Sequence, residues 1–404
     1  MSLPLRFLLF FGTTALLTVS GHIYLYRRLF RDTAKHPHWR LAGLVTMALL
    51  VTAMLGSRLL SQFYPSEVTF AFARLGWFWM GVAIYLLLAV LTLGGAQRVS
   101  GWVAGPRTVK GAPPEVPGAA PAPLSEERRL FLARASAGAA LAATGGVAGY
   151  GIWRAFHTPV VSEVAVRLPG LPKALDGFSI VQLSDVHVGP LIQRRFMDAV
   201  VAQCNGLKPD LVCITGDLMD GGVKDLGHAM GALTNLRSRH GTYFVTGNHE
   251  YYSGDLEWAE ALEKMGLVVL RNRHVSVGEP GASFDMVGVD DWAAERSGYP
   301  RARSYDLEKA LAGRDPERAA VLLAHQPAGW REARAAGVGL QLSGHTHGGQ
   351  FFPFNMVISA MWEHDAGLFS EGNSHLYVSR GTGFWGPPLR VGAAPEIVKV
   401  TLLA

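Results

Sequence analysis

The sequence is poor in cysteine and in charged residues. Cys204 and Cys213 are the only cysteines among 404 residues, which excludes a small domain held together by disulfides. Charged residues make up 17% of the chain and apolar residues 49%, and the mean hydropathy of +0.19 is high for a wholly soluble protein. The low content of charged residues and the high hydropathy indicate that part of the chain lies in a membrane.

Basic residues are concentrated in the first part of the chain. Residues 1–157 hold 15 Lys or Arg and 5 Asp or Glu, whereas residues 158–404 hold 22 and 27. The sequence pI of about 9.2 therefore reflects the N-terminal part. Because the acidic second part has no stripe of Lys or Arg, we expect no nucleic-acid partner.

Four apolar runs are candidates for crossing a bilayer, which takes about 20 residues. They cover residues 7–26, 41–60, 75–95 and, more weakly, 135–153. A cleaved signal peptide is the competing reading of the first run, but only Arg6 precedes the run, whereas Arg27, Arg28 and Arg31 follow it. We predict four segments: a membrane domain with three helices over 1–100, a Pro/Gly/Ala-rich cytoplasmic linker over 101–130, a fourth apolar helix over 131–157, and a globular domain over 158–404.

The loops between these runs predict the orientation of the chain. Residues 27–40 and 96–129 each carry five Lys or Arg, against one in 61–74, and basic loops face the cytoplasm. We therefore expect a multi-pass protein of the cell (inner) membrane with its globular domain on the outer, extracytoplasmic side. Arg128 and Arg129 in ERRLFL resemble a twin-arginine export signal. Ordinary flanking charge gives the same topology, and the sequence leaves both readings open.

The globular part alternates short β-branched or apolar runs with helical stretches, which predicts an α/β or α+β layered domain. Residues 193–206 and 224–239 are long enough for crossover helices. Eight runs are predicted as strands: 179–183, 211–215, 243–246, 284–289, 320–324, 339–342, 375–378 and 396–402.

Polar residues follow five of these predicted strands, in the motifs SDVH, TGD, GNHE, LLAHQP and SGHTH. The carboxyl ends of parallel strands open into one crevice, so these distant residues are expected to converge. Two carboxylates, an amide and four imidazoles suit Mn²⁺, Fe²⁺ or Zn²⁺. They are too many for one ion but suit two ions that share a carboxylate. The candidate ligands are Asp185, His187, Asp217, Asn248, His325, His345 and His347.

This ordered set of motifs resembles the calcineurin-like metallophosphoesterases. The resemblance implies a sandwich of two mixed sheets flanked by helices, and hydrolysis of a phosphoric ester by a hydroxide that bridges two divalent metals. It assigns Asp185, His187 and His347 to the first metal, Asn248, His325 and His345 to the second, and Asp217 to the bridge. In the same resemblance His249 protonates the leaving oxygen. Glu250 is expected to orient the ring of His249.

Two further stretches, GHTHGGQFFPF and SRGTGFWGPPLRVGAAPEI, are similar to membrane-anchored or twin-arginine-exported members of the family, which act at the cell envelope. Multi-span members, the transmembrane proteins with a metallophosphoesterase domain, have the same layout. The implied partners are the lipid bilayer and a phosphomonoester, phosphodiester or pyrophosphate in a small-molecule, envelope or lipid-linked substrate. A lipid-linked nucleotide-sugar pyrophosphatase and a non-catalytic metal-binding scaffold are the alternatives.

Other conspicuous residues allow two readings each. Arg380 and Arg390 are predicted to bind a substrate phosphate, with a surface ion pair as the alternative. An aromatic cluster after the last candidate ligands forms either a lipid-facing rim or ordinary packing, and packing is favoured. Its members are Phe351, Phe352, Phe354, Trp362, Phe384 and Trp385. Residues 290–305 and 351–374 are the expected specificity loops.

Overall fold

The structure is a computed structural model that describes the backbone of residues 3–63, 66–103, 125–292 and 304–404. Within these ranges the side chains are described except for 3–8, 10, 57–63, 67 and 101–103. The chain forms two compact units, Met1–Tyr150 and Gly151–Ala404, and each is described by itself.

Long apolar helices dominate the first unit. They are α1 (Leu3–Tyr26), α2 (Pro37–Phe63), α3 (Glu67–Val103) and α4 (Glu126–Phe156), of which α4 ends in the second unit. Leu25, Met47, Leu86, Val90 and Ala140 form a buried cluster among them. Most of the predicted linker, residues 104–124, lies outside the described residues.

Among the described residues, three segments are long and apolar enough to cross a membrane: Pro37–Gly56, Val68–Ser100 and Glu126–Phe156. They contain most of the second predicted run and all of the third and fourth. The first predicted run, 7–26, lies in α1. Because several of its side chains lie outside the described ones, its role as a span stays a prediction.

Two six-stranded mixed sheets form the second unit. Its strands are β1 (Val160–Arg167), β2 (Phe178–Leu183), β3 (Leu211–Thr215), β4 (Thr242–Val245), β5 (Val268–Val269), β6 (Arg273–Glu279), β7 (Ala282–Gly288), β8 (Ala320–Leu323), β9 (Leu340–Ser343), β10 (Gly367–Glu371), β11 (Ser374–Val378) and β12 (Glu396–Leu403). The strand orders are β1-β12-β2-β3-β4-β5 and β10-β11-β9-β8-β7-β6. Only the pairs β12-β2, β10-β11 and β6-β7 are antiparallel among the described strands.

Helices cover the outer faces of both sheets. They are α5 (Arg194–Gly206), α6 (Val223–Met230) and α8 (Asp255–Lys264) on the first sheet, and α9 (Leu307–Leu311) and α10 (Trp330–Ala335) on the second. Two further helices, α7 (Asn248–Ser253) and α11 (Phe354–Met361), lie in the segments that follow β4 and β9. Strand β2 shows why the layers form. Phe178 and Ile180 point into the core between the sheets, and Val181 and Leu183 point into the core beneath α5, α6 and α8. This alternation buries both faces of the strand, and the predicted helix-flanked pair of mixed sheets is confirmed.

The strands that the sequence pattern missed are the four sheet edges, β1, β5, β6 and β10. Interior strands are buried on both faces and read as apolar runs, whereas edge strands expose one side or are very short. The pattern along β1 is mostly exposed or half-buried, for example. The predicted helix 224–239 is also shorter, because α6 ends at Met230 and a 3₁₀ turn, Gly231–Asn235, follows it.

Candidate active site

The predicted site residues come together at the carboxyl ends of five strands. Strands β2, β3 and β4 are parallel neighbours in the first sheet, and β8 and β9 are parallel neighbours in the second. Gln182 in β2 donates a hydrogen bond of 2.9 Å to the carbonyl of Ser343 in β9, which ties the two sheets together just beneath the site. Loops from both sheets therefore open onto the same place.

The backbone at this place is strained. Five non-glycine residues have left-handed φ values: Asp185 (51°), His187 (56°), Asp217 (49°), His345 (72°) and His347 (53°). Each such residue costs on the order of 1–3 kcal/mol, and such strain clusters at functional sites. All five are predicted ligands, so the strained backbone conformations orient the candidate ligand side chains.

The glycines of the motifs allow the close approach of these loops. A Cβ at Gly247 would collide with the carboxylate and backbone nitrogen of Asp217. A Cβ at Gly344 would collide with Ser184 and with the carboxylate of Asp185. Only glycine therefore fits the Gly-Asn-His and Gly-His motifs at these positions.

One group of donors consists of Asp185, His187 and His347, whose ligand atoms lie within 4.8 Å of one another. Nε2 of His347 lies 3.1 Å from Nε2 of His187 and 3.4 Å from Oδ1 of Asp185. Two ring nitrogens that face each other at this distance require a proton or a cation between their lone pairs. The donor set therefore fits a bound cation.

A second group consists of Asp217, His325 and His345, again within 4.8 Å. Nε2 of His325 lies 3.2 Å from Oδ2 of Asp217, 3.1 Å from Nδ1 of His345 and 3.3 Å from Oδ1 of Asn248. Oδ2 of Asp217 is also 3.8 Å from Nε2 of His187. Asp217 thus lies between the two groups, and all seven predicted ligands are close together.

Backbone and side-chain contacts prepare the histidines to ligate. Nδ1 of His325 donates to the carbonyl of Thr215 at 2.8 Å, which leaves Nε2 facing the site. Burial and the positive charge of His325 lower the pKa of His345 to about 3. Burial and the neighbouring Arg390 hold the pKa of His347 well below its ordinary value. The last two rings are therefore unprotonated at neutral pH.

Asp217 carries a charge despite its burial. Burial acts to raise its pKa, but His325 and His249 outweigh that effect and hold the pKa well below the ordinary value. For His325, burial acts to lower the pKa, and the carboxylates of Asp217 and Asp185 raise it well above the ordinary value. A negative oxygen thus faces protonated imidazole at the centre of the site.

His249 lies beside the donor groups and is held by a carboxylate that sequence reasoning missed. Its Nδ1 lies 2.6 Å from Oδ1 of Asp220, and its backbone nitrogen donates to Oδ1 of Asp217 at 2.9 Å. The same Oδ1 of Asp220 lies 3.1 Å from Nδ1 of His187. Burial lowers the pKa of His249, but Asp217 and Asp220 outweigh it and raise the pKa to about 9. The sequence feature that could have identified Asp220 is the second carboxylate of the stretch TGDLMD.

The predicted orienting role of Glu250 requires correction. Its carboxylate is fully buried and accepts the backbone N–H groups of Asp217 (3.0 Å), Leu218 (2.7 Å) and Gly247 (2.5 Å). Burial and the charge of Asp217 raise its pKa to about 7. Glu250 therefore fixes the two loops that carry Asp217 and Asn248, while Asp220 holds the ring of His249.

The predicted substrate-binding role of Arg390 is wrong. Its side chain is 1% exposed and donates to the carbonyls of Gly383 (3.0 Å), Arg380 (2.8 Å) and His347 (3.1 Å). Burial lowers its pKa to about 9. A one-dimensional pattern cannot show that this arginine turns inward to join three loop carbonyls. Arg380 is 37% exposed and pairs with Glu396 at 3.3 Å, so its contact with substrate stays a prediction.

The members of the aromatic cluster differ in their exposure. Phe351 and Phe384 are buried, whereas Phe352, Phe354 and Trp385 are 50%, 45% and 43% exposed. The ring of Trp362 lies 5.3 Å from that of His345, and the ring of Trp385 lies 5.7 Å from that of His249. Aromatic side chains thus border the site. Residues 293–303 of the first predicted specificity loop lie outside the described residues.

The chain is similar to several known proteins. The profile described as "Calcineurin-like phosphoesterase" matches residues 178–349. The "Transmembrane protein with metallophosphoesterase domain" of Danio rerio is 33% identical over 98% of this chain and 89% of the relative. The protein of the same description from Bos taurus is 34% identical over 96% and 87%. Among solved structures, a dimetal phosphatase from Danio rerio aligns with 56% of this chain and 93% of its own at 13% identity and a TM-score of 0.36.

Proposed function

Since this chain belongs to the calcineurin-like phosphoesterases, we propose that it uses two divalent ions to hydrolyse a phosphomonoester, phosphodiester or pyrophosphate bond. Its metallophosphoesterase domain follows candidate membrane helices in the sequence, and we propose an envelope or lipid-linked substrate. The family hydrolyses phosphoric esters. The number of ions, the roles of the site residues, the substrate and the membrane orientation are the parts that we propose.

The observation that carries the proposal is the position of Asp217 between two groups of donors. Asp185, His187 and His347 would hold one ion, and Asn248, His325 and His345 would hold the other. Carboxylate, amide and imidazole donors without thiolate suit Mn²⁺, Fe²⁺ or Zn²⁺. When bound, such ions polarise phosphoryl oxygens and lower the pKa of water to about 7, which supplies a hydroxide nucleophile.

His249 supplies the proton that the leaving oxygen needs. Its Nδ1 points to Asp220, so the remaining ring nitrogen, Nε2, faces the site, 3.9 Å from Oδ2 of Asp217. A pKa raised to about 9 keeps a proton on this ring at neutral pH. A positioned acid of this kind contributes about 10²–10⁴-fold to the rate.

The basic loops support an outer location for the second unit. Residues 27–40 and 96–129 hold five Lys or Arg each and 61–74 hold one, the asymmetry of cytoplasmic and outer loops. Reporter enzymes fused after Ala404 that are active only outside the cytoplasm test the orientation. The pair Arg128→Lys and Arg129→Lys keeps the charge but removes the twin arginine. Unchanged export of this variant would therefore argue for ordinary flanking charge.

The activity is tested on the full-length chain purified in detergent. We expect metal-dependent hydrolysis of a generic aryl phosphate or bis-aryl phosphate, and a metal content near two ions per chain by mass spectrometry. Asp217→Asn should lose both, whereas Asp225→Asn, at an exposed position in α6, should keep both. Bound metal without hydrolysis of any ester in the panel would contradict the proposal and favour a metal-binding scaffold.

A further inference from the structure

Helix α11 (Phe354–Met361) presents an apolar surface outward. None of its described side chains is buried. Phe354, Met356, Val357 and Met361 are 45%, 63%, 48% and 71% exposed. Residues 351–362 contain no charged side chain. Contiguous exposed apolar surface of this kind marks an interaction site in soluble domains.

Two polar residues of α11 contact the rest of the domain, although Ser359 is itself exposed. Asn355 packs against the backbone of Gly349, where an added Cβ would collide with it. The hydroxyl of Ser359 donates to the carboxylate of Asp365. These contacts attach the helix to the domain, while its large apolar side chains stay exposed.

The end of a candidate membrane span lies close to α11 within the same unit. The last turns of α4, from Gly151 onward, pack on the segment 389–391: Arg390 donates its backbone N–H to the carbonyl of Gly151 at 3.0 Å. In turn, Phe352 donates its backbone N–H to the carbonyl of Val391 at 2.8 Å. One backbone segment thus separates the end of the span from the start of α11. Trp153, near the end of α4, is 54% exposed, as tryptophans at bilayer interfaces are.

From this geometry we propose that α11 lies in the bilayer interface, with its apolar face in contact with lipid. Because His347 precedes α11 by a few residues and the ring of Trp362 just after it packs on His345, this contact places the candidate metal site at the level of the lipid headgroups. The inference about substrate rests on the proposed function: phosphoesters presented at the membrane surface reach the site in preference to soluble ones.

The depth of α11 can be measured without any activity. Single cysteines at Met356 or Val357, spin-labelled in the full chain in vesicles of phosphatidylethanolamine and phosphatidylglycerol, should collide more with oxygen and less with a water-soluble nickel chelate than a label at Glu263, an exposed position on α8. The native Cys204 and Cys213 are fully buried, and the chain without an added cysteine measures the background labelling. Labels that are open to the nickel chelate, or shielded from both reagents by a second copy of the chain, would overturn the proposal.

The consequence for substrate is tested with two charged substitutions. The double variant Val357→Asp with Met361→Asp should leave turnover of soluble bis(p-nitrophenyl) phosphate within about twofold. It should slow hydrolysis of an acyl-tailed p-nitrophenyl phosphodiester in the same vesicles by about tenfold, because interfacial binding of a helix depends on its buried apolar area and on its charge toward anionic lipid. Leu256→Asp, at a 42% exposed apolar position on α8, is the matched control and should change neither rate. If the double variant kept the wild-type rate on both substrates, or lost the same factor on both, the substrate inference would be refuted. A wild-type chain inactive on both would refute the proposed function and leave the depth result standing.

Discussion

Replacing Asp220 with asparagine tests how the site holds its two neighbouring imidazoles. One oxygen of Asp220 lies 2.6 Å from Nδ1 of His249 and 3.1 Å from Nδ1 of His187. The amide keeps the shape of the side chain but loses its charge. Loss of such a carboxylate behind a metal-ligating histidine costs about 10–100-fold in metal affinity or activity, which is about 1.4–2.8 kcal/mol.

The charge of Asp220 also sets the proton affinity of His249. The pKa of this ring is about 9 against an ordinary 6.5, a difference of about 3.4 kcal/mol. The charge of Asp217 is the largest single cause of that increase, and the hydrogen bond to Asp220 and the charge of Asp220 follow it. Because the general acid must be protonated, activity falls as the pH rises through its pKa. Removing Asp220 lowers that pKa, so we expect the alkaline limb of the profile to move to lower pH by about one to two pH units.

The assay is the pH dependence of kcat/KM with an aryl phosphate, together with metal content, for wild type, Asp220→Asn and the exposed control Asp225→Asn. The control should match wild type in both measurements. An Asp220→Asn variant with full metal content, kcat/KM within twofold of wild type and an unmoved alkaline limb would refute the reasoning, because the two hydrogen bonds would then contribute nothing to the site.

Three further results are expected. His249→Ala should slow cleavage of esters with poor leaving groups by about 10²–10⁴-fold and of p-nitrophenyl esters much less, while His228→Ala, at an exposed position, should change neither; equal losses on both ester classes would exclude a role as acid. Arg390→Gln should lower the free energy of unfolding by about 3 kcal/mol or more, because several loop carbonyls lose their donor, whereas the partly exposed Arg380→Gln should cost under about 1 kcal/mol; thermal unfolding followed by tryptophan fluorescence measures both, and an unchanged midpoint for Arg390→Gln would contradict the structural role. Metal added to protein from which a chelator has removed the metal should displace the proton from His325, whose pKa is raised. The affinity for metal should therefore increase by about tenfold per pH unit below that pKa. Calorimetry in buffers of different ionisation enthalpy measures the proton release, and binding without release would refute this prediction.

Much of the candidate site was predictable because short sequence motifs contain its candidate ligands. Three of the five motifs, TGD, GNHE and SGHTH, combine a candidate ligand with a glycine, and Gly247 allows its loop to approach Asp217. Asp220 escaped because its role depends on where a loop turns: it lies three residues beyond Asp217 and meets His187 and His249 only in the folded chain. Glu250 was given the wrong partner for the same reason.

The fold was predictable to the extent that burial is visible in one dimension. Interior strands such as β3, LVCIT, are buried at every position and read directly as apolar runs. The edge strands can be identified only from the strands with which they pair. For example, β1 pairs in parallel with β12, which is more than 200 residues away in the sequence, and no local sequence pattern contains that contact.

By itself the sequence determined the kind of chemistry, because residue type decides which atoms can bind a cation, and it determined the apolar helices, because a bilayer selects for length and hydropathy. Tertiary structure alone decided the direction of each side chain. Arg390 turned inward to loop carbonyls and α11 turned its apolar face outward, since the orientation of a side chain depends on the packing of segments that are distant in the chain.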